Sequence, residues 1–113
     1  MDCIFCKIID GEIPGDIIYR DEEVIAFRDI SPQAPIHILV VPKKHIDSLT
    51  QLDETDYHLI GKIIKIANQL AEEEGVAEKG YRVAINCGEQ GGQAVPHLHL
   101  HLLAGRKMRP TVG

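Results

Sequence analysis

Near the C-terminal end of the chain, three histidines alternate with leucines, and this alternation restricts the fold more than any other feature. Residues 96–103 read PHLHLHLL. Successive side chains of a β-strand point to opposite faces, so a strand over residues 95–103 places its histidines on one face and its leucines on the other. The leucine face requires a hydrophobic core, and the histidine face requires polar partners, because an unpaired buried imidazole costs free energy. The pattern predicts a strand that borders both a core and a polar site.

The rest of the chain predicts one α+β domain that covers residues 1–113, since this length is typical of a single domain. Apolar residues between Ile60 and Ala71 recur with helical spacing and predict one long helix, capped by Asp53 and ended by Gly75. A short helix is predicted over residues 4–9. Closely spaced strands favour an antiparallel sheet, because parallel crossovers need about a dozen residues or more. The other predicted strands cover residues 17–20, 24–28, 36–41 and 81–86.

Composition and charge exclude several classes of protein. An apolar fraction of 44% with 26% charged residues indicates a globular chain rather than a disordered one. A net charge of −5 argues against a nucleic-acid polymer as partner, but it permits one small anionic ligand in a locally positive pocket. No apolar run approaches the ~20 residues that span a bilayer, and the first residues lack the pattern of a signal peptide. We therefore expect a cytoplasmic protein with no membrane partner.

The residues alone leave three interpretations of the alternating histidines open. They are surface or hydrogen-bonded side chains of an edge strand, ligands of a metal such as zinc, or catalytic groups. A neutral imidazole is a competent nucleophile and general base near pH 7. Neighbouring imidazoles can donate hydrogen bonds to a phosphate oxygen and stabilise its charge.

The three cysteines leave a similar choice open. Cys3 and Cys6 form a C-x-x-C pair, which is compatible with a disulfide, a redox pair or half of a metal site. The third cysteine, Cys87, is isolated in the sequence. An odd number of cysteines excludes a fully paired disulfide framework, and we expect reduced thiols.

The alternating motif and four further stretches resemble the histidine triad (HIT) family of nucleotide hydrolases and transferases, over nearly the whole chain. The resemblance is to the Hint branch, the nucleoside phosphoramidate hydrolases, in a zinc-binding microbial form. It implies a sheet that continues across a homodimer, and chemistry that needs no Mg²⁺. The four stretches are IFCKII (4–9), AFRDISPQAP (26–35), HILVVPKKH (37–45) and GGQ (91–93).

The resemblance implies hydrolysis of purine nucleoside 5′-phosphoramidates, such as adenosine derivatives with an amino or lysine leaving group. His99 is then the nucleophile that forms a nucleotidyl-histidine intermediate, and water releases the mononucleotide. His101 lies at the phosphate oxygens, His97 orients the nucleophile through its backbone carbonyl, and His37 completes the cluster as a proton relay. Two alternatives remain: a nucleotide-binding module with vestigial catalysis, and a dinucleoside polyphosphate hydrolase.

The same resemblance implies a nucleotide site in which Asp29 accepts the ribose hydroxyls. Apolar residues surround the base, and the Gly-rich loop approaches the phosphate. One departure concerns Ala94, because the Hint branch commonly carries a serine there that contacts the α-phosphate. The implied nucleotide-binding residues are Phe5, Ile8, Asp29, Ile30, Leu39, Asn86, Gly92, Gln93, Ala94, His99 and His101.

A structural zinc site is also implied by the resemblance. Its ligands are Cys3, Cys6, His45 and His97. A Cys₂His₂ set is typical of a closed tetrahedral site, which would tie the N-terminal segment to the sheet and stabilise a small fold. His97 would then be both a ligand and a member of the triad.

Overall fold

A computed structural model describes residues 3–110, and these form two α-helices, one 3₁₀ turn and five strands. This architecture confirms the predicted α+β class. The helices are α1 (Ile4–Ile9) and α2 (Tyr57–Glu73), and the 3₁₀ turn covers Leu49–Gln51. The strands are β1 (Ile17–Arg20), β2 (Val24–Arg28), β3 (Ile36–Pro42), β4 (Arg82–Ala84) and β5 (Leu100–Ala104).

The five strands form one antiparallel sheet in the order β1-β2-β3-β5-β4. Strand β3 lies at its centre, and its register pairs Leu39 with His101 and Ile38 with Leu102. Directly paired residues share a face of the sheet. The register therefore fixes one face that carries histidine and a second face that is mainly apolar, with Arg28 at the end of β2 as a charged member.

Each face of the sheet has its own hydrophobic cluster. The first cluster joins the apolar side of β2, β3 and β5 to α2, with Ile63 and Leu102 fully buried. The second lies on the opposite face, where Phe5 and Ile8 of α1 pack against Phe27. Helix α1 thus covers the face of the sheet that carries the histidines, and α2 covers the other.

The last strand starts later than predicted: it begins at Leu100, not at residue 95. Pro96 has no N–H to donate to a ladder, the N–H of His97 bonds the Val95 carbonyl at 2.8 Å, and the N–H of Leu98 bonds the Ile46 carbonyl at 2.7 Å. The predicted alternation nevertheless persists through this irregular segment, because the leucine side chains at 98, 100 and 102 are all buried.

The predictions for α2 were right about its end and wrong about its cap. The helix begins at Tyr57 with Asp56, not Asp53, at the N-cap position. Asp53 instead bonds the N–H of Thr55 at 2.9 Å, while the carboxylate of Asp56 binds Lys44 at 2.7 Å. Gly75 follows the helix with a φ of +75°, as a C′ residue requires.

The fourth strand, Arg82–Ala84, is shorter than the predicted 81–86. None of the helices formed by residues 3–110 has both the length and the apolar character needed to cross a membrane.

Candidate functional site

The sheet register brings the histidines of two chain segments together, and helix α1 packs against them. His37 on β3 and His101 on β5 have ring centroids 5.2 Å apart, and those of His99 and His101 are 4.8 Å apart. Phe5 of α1 meets the rings of His97 and His99 edge-on, with centroids at 5.8 and 5.1 Å. The predicted triad and its fourth member therefore form one cluster beneath α1.

A cavity of about 240 Å³ opens beside this cluster. Eight of the eleven residues predicted to bind nucleotide line it: Phe5, Ile8, Asp29, Ile30, Leu39, Ala94, His99 and His101. The other three, Asn86, Gly92 and Gln93, do not. The residues that the sequence interpretation missed in this lining are Ile4, Pro14, Gly15, Phe27, Arg28 and Val95. Of these, only Phe27 could have been found from the sequence. The alternation of side chains along the strand predicted for residues 24–28 places it on the face opposite the residues that contact α2.

Hydrogen-bond partners decide which nitrogen of His99 is free. Its Nδ1 lies 2.7 Å from the backbone carbonyl oxygen of His97, which can only accept a hydrogen bond. Nδ1 therefore carries the proton, and Nε2 keeps an unshared electron pair. His99 is buried, and burial lowers its pKa, so the ring is neutral at pH 7. These are the tautomer and charge that a nucleophile requires.

A second chain of hydrogen bonds fixes the tautomer of His101. The N–H of Gln33 donates to Nδ1 of His37 at 3.0 Å, so the proton of that ring lies on Nε2. This Nε2–H faces Nδ1 of His101 at 2.9 Å and lies 3.6 Å from Asp29 Oδ2. His101 thus accepts at Nδ1 and keeps its own proton on Nε2, available to donate to a ligand.

The histidine cluster is neutral as a whole. Burial lowers the pKa values of His37, His97 and His99. Burial, followed by the charges that His99 and His37 would carry, lowers the pKa of His101 to about 4. At pH 7 an anionic ligand would therefore be held by hydrogen-bond donors rather than by imidazolium charges.

Four side chains on the other side of His97 form a group that could hold a metal ion. The donor atoms of Cys3, Cys6, His45 and His97 lie within 4.8 Å of one another. Cys3 caps α1 by accepting the N–H of Cys6 at 3.3 Å, so the first turn of this helix orients both thiols. The Sγ–Nδ1 distances are 3.4 Å for Cys3 to His97 and 3.2 Å for Cys6 to His45.

The chemistry of these donors fits a cation such as zinc. Nε2 of His97 donates to the Pro42 carbonyl at 2.8 Å, and Nε2 of His45 donates to Oδ1 of Asp47 at 2.6 Å. Both Nδ1 lone pairs therefore point at the thiols, as ligands require, and hydrogen-bonded imidazoles of this kind are typical of zinc sites. Burial raises the pKa of Cys6 to about 11, so this thiol keeps its proton at pH 7. A bound cation would displace that proton.

A second group, Asp29, His37 and His101, also has donor atoms within 4.8 Å of one another, but its hydrogen bonds disfavour a metal. Nδ1 of His37 accepts the N–H of Gln33. If Nε2 of the same ring bound a cation, neither nitrogen would carry a proton, and the ring would be an imidazolate. The two clusters therefore differ in chemistry: one presents free lone pairs, and the other is a chain of donors and acceptors.

Comparison with known proteins places this arrangement in a family. Residues 10–108 match the HIT domain. The chain belongs to the HIT domain family. Purine nucleoside phosphoramidase of Escherichia coli (strain K12) is 49% identical over 111 residues, which cover 98% of this chain and 93% of that protein. The resemblance predicted from the sequence motifs is thereby confirmed.

Solved HIT structures share the fold closely. A HIT family hydrolase from Legionella pneumophila Philadelphia 1 has a TM-score of 0.95 and 47% identity, covering 99% of this chain and all of that one. A histidine triad protein from Clostridium difficile also has a TM-score of 0.95, with 50% identity and coverage of 99% and 97%. The likeness extends over the sheet, both helices and the histidine segment.

Two amide side chains, those of Asn86 and Gln93, hold the Gly-rich loop of this HIT chain, residues 87–93. Nδ2 of Asn86 donates to the Gly91 carbonyl at 2.8 Å, and the side chain of Gln93 bonds main-chain atoms only. A Cβ on Gly91 would overlap the Cys87 carbonyl, and Gly92 has a φ of +80°. These hydrogen bonds and glycines determine the conformation of the loop. Nucleotide contacts by the loop stay a prediction.

We expect the free energy of unfolding to fall as the pH decreases from about 6.5 to about 4. Folded His101 stays neutral down to about pH 4, whereas an unfolded histidine takes up a proton near pH 6.5. The unfolded state thus binds more protons in this window, and one such group contributes a slope of at most about 1.4 kcal/mol per pH unit. Urea denaturation from pH 4 to 8 measures the slope.

The variant His101→Gln should have a shallower slope between pH 4 and 6.5. His58→Gln is the matched control, because His58 is exposed and its hydrogen bond to Glu23 raises its pKa. His58 is therefore protonated in both states over most of this window. An unchanged slope in His101→Gln would contradict the assignment.

Proposed function

We propose that this chain hydrolyses purine nucleoside 5′-phosphoramidates through a nucleotidyl-histidine formed on His99. The observation that carries the proposal is the neutral, buried ring of His99, whose Nδ1–H is held by the His97 carbonyl while its Nε2 remains unprotonated beside an apolar cavity. The name of the E. coli relative, purine nucleoside phosphoramidase, supports the substrate class.

In the first step, the lone pair on Nε2 of His99 forms a bond to the α-phosphorus. The phosphorus–nitrogen bond of the substrate breaks, and its electron pair leaves on the amine, which takes up one proton from solvent. In the second step, water attacks phosphorus, the bond to His99 breaks and its electron pair returns to Nε2. The water loses one proton to solvent, so the proton taken up in the first step is returned.

The other histidines support this displacement by position. The Nε2–H of His101 donates to a non-bridging phosphate oxygen and offsets the charge that develops there. His37 holds His101 in the tautomer that makes this donation possible. His97 does the same for His99 through its carbonyl, which also stabilises the Nδ1–H of the cationic intermediate.

The cavity supplies the nucleoside subsite. Its walls are mainly apolar, with Phe5 and Leu39 buried and Ile30 92% exposed at its rim. Asp29 accepts the N–H of Ser31 through Oδ1 at 2.8 Å, and its Oδ2 faces the cluster. A carboxylate oxygen in this position is suited to accept a ribose hydroxyl.

His99→Ala should abolish turnover of adenosine 5′-phosphoramidate, because the covalent route is lost. We expect kcat to fall by about 10³-fold or more, with AMP affinity changed by only a few fold. AMP release measures the rate, and intact mass spectrometry of protein quenched in alkaline denaturant, which preserves a phosphorus–imidazole bond, detects the nucleotidyl adduct. His58→Ala removes an exposed imidazole outside the cluster and should leave both unchanged.

The same assay separates the alternative functions. Faster cleavage of a dinucleoside polyphosphate than of the phosphoramidate would identify a polyphosphate hydrolase. AMP binding by the wild-type chain without turnover would identify a binding module. Turnover that survives in His99→Ala would overturn the proposed nucleophile.

Ala94→Ser should raise kcat/KM for the phosphoramidate a few fold. Ala94 lines the cavity beside His99 and His101, and a hydroxyl there would add one donor to the phosphate region. Ala94→Val, which adds volume without a donor, is the control. An unchanged or lower kcat/KM in Ala94→Ser would contradict this role.

We also propose that the Cys3/Cys6/His45/His97 group holds structural zinc. A bound ion would join the start of α1 to the β3–α2 segment and to the histidine segment, which are distant in sequence. We expect one zinc per chain, and chelation should lower the melting temperature by several degrees or more. Elemental content and thermal unfolding measure both.

Cys6→Ser should lose the metal, whereas Cys87→Ser should keep it, since Cys87 lies outside the group. Wild-type protein that contains no metal and has the same melting temperature with and without chelator would overturn the zinc proposal.

We further propose that two chains form a homodimer in which the sheet continues from one subunit to the other. The edge strand β4 of each chain lies at the dimer interface. Val83 on β4 is 42% exposed, and Ile17 on the opposite edge, β1, is 36% exposed. We expect sedimentation to give about twice the 12.5 kDa mass of one chain. Val83→Arg should produce monomers and Ile17→Arg should not. The reverse result would show that the dimer interface lies at β1. The cytoplasmic location stays a prediction.

A further inference from the structure

Residues 45–47 connect the Cys/His group, to which His45 belongs, to Gln93 of the Gly-rich loop, and we call them the bridge segment. His45 donates from Nε2 to the Asp47 carboxylate at 2.6 Å, so the ring that faces the thiols orients this segment. The Ile46 carbonyl accepts the N–H of Leu98 at 2.7 Å, which fixes the segment against the histidine strand.

Gln93 connects the bridge segment to the loop. Its Nε2 donates to the Asp47 carbonyl at 2.6 Å and to the Val95 carbonyl at 2.9 Å. Its Oε1 accepts the N–H of Gly88 at 2.9 Å, and its own N–H donates to the Gly88 carbonyl at 3.0 Å. Both amide hydrogens and the amide oxygen are thus used by the main chain, so this side chain does not need a ligand to complete its hydrogen bonding.

We infer that Gln93 is a positioning residue that couples metal binding at the Cys/His group to the shape of the Gly-rich loop, which leads directly into Ala94 and Val95 of the cavity wall. The inference rests on the proposed function, and it concerns the hydrogen bonds that the Gln93 side chain makes within the chain; a nucleotide contact by Gln93 stays a prediction. The path runs from the His45 ring to the Asp47 carboxylate, along the Asp47 main chain to its carbonyl, and through the Gln93 amide to Gly88.

The physical basis is the order that a cation imposes on the ring of His45. Thiol–imidazole hydrogen bonds tolerate a range of ring orientations, whereas a metal–nitrogen bond fixes the ring. A fixed ring fixes its partner carboxylate, and the short bonds of Gln93 transmit this order to the loop. Asn86 and a hydrogen bond from the Gly92 N–H to the Glu89 carbonyl also hold the loop backbone. His97 offers a second route from the metal to the nucleophile, and that route does not pass through Gln93.

The test measures the dissociation constant of zinc, by competition with a chelator, in the absence and presence of saturating AMP. Coupling between two sites is reciprocal and typically changes an affinity by about 5–150-fold. We expect AMP to tighten zinc about fivefold or more in the wild-type chain. In Gln93→Leu, which keeps the volume but loses the amide, the remaining effect should fall to about twofold or less.

Gln90→Leu is the matched control, because Gln90 is an exposed glutamine of the same loop. It should retain the wild-type coupling. In the phosphoramidate assay, Gln93→Leu should lower kcat of the zinc-loaded protein more than it raises KM, since the nucleoside subsite on α1 and β3 is unchanged. Equal coupling in Gln93→Leu and the wild type, or no coupling in a wild-type chain that binds AMP, would overturn the inference.

Amide hydrogen exchange gives a readout that needs neither turnover nor nucleotide. Zinc should slow exchange in residues 87–93 of the wild-type chain and of Gln90→Leu, and should leave this loop unchanged in Gln93→Leu. A chain that binds no AMP would refute the proposed function, yet the exchange experiment would still decide the structural link. Loop exchange that responds to zinc equally in all three proteins would reject the role of Gln93.

Discussion

The complete burial of His97 is the constraint on which the rest of the site depends. Three polar atoms of this residue have three different partners. Nδ1 faces the thiols, Nε2–H donates to Pro42, and the carbonyl accepts Nδ1–H of His99. An unpaired polar group at this depth would cost roughly 1–3 kcal/mol, so the arrangement is strongly enforced. One residue thereby joins the N-terminal cysteines to the reacting centre.

The remaining histidines show how identical side chains acquire different chemistry from their partners. His99 bonds a carbonyl and keeps a nucleophilic Nε2, whereas His101 accepts from His37 and keeps a donating Nε2–H. His45 donates to Asp47 and turns its free Nδ1 toward a thiol. Because burial keeps the triad rings uncharged, the difference between His99 and His101 comes from their tautomers and not from charge.

The sequence predicted much of this fold because its strongest signals are periodic. Alternation placed the leucines of residues 98–102 in the core, and helical spacing identified α2. Prediction from sequence failed where a residue distant in the chain determines where a helix or strand begins. Two aspartates compete to begin α2, and the contact of Asp56 with Lys44 is not visible in local sequence. Residues 95–99 leave the sheet because Leu98 bonds Ile46, far away in the chain.

The sequence by itself determined which side chains are available for chemistry: a C-x-x-C pair, an alternating triad and a Gly-rich loop, in the order typical of HIT proteins. Only the tertiary structure decided which nitrogen of each imidazole is free. That choice depends on a backbone N–H from Gln33 and backbone carbonyls from Pro42 and His97. Such main-chain partners leave no mark in residue identity, since every residue type carries a carbonyl and nearly all carry an N–H.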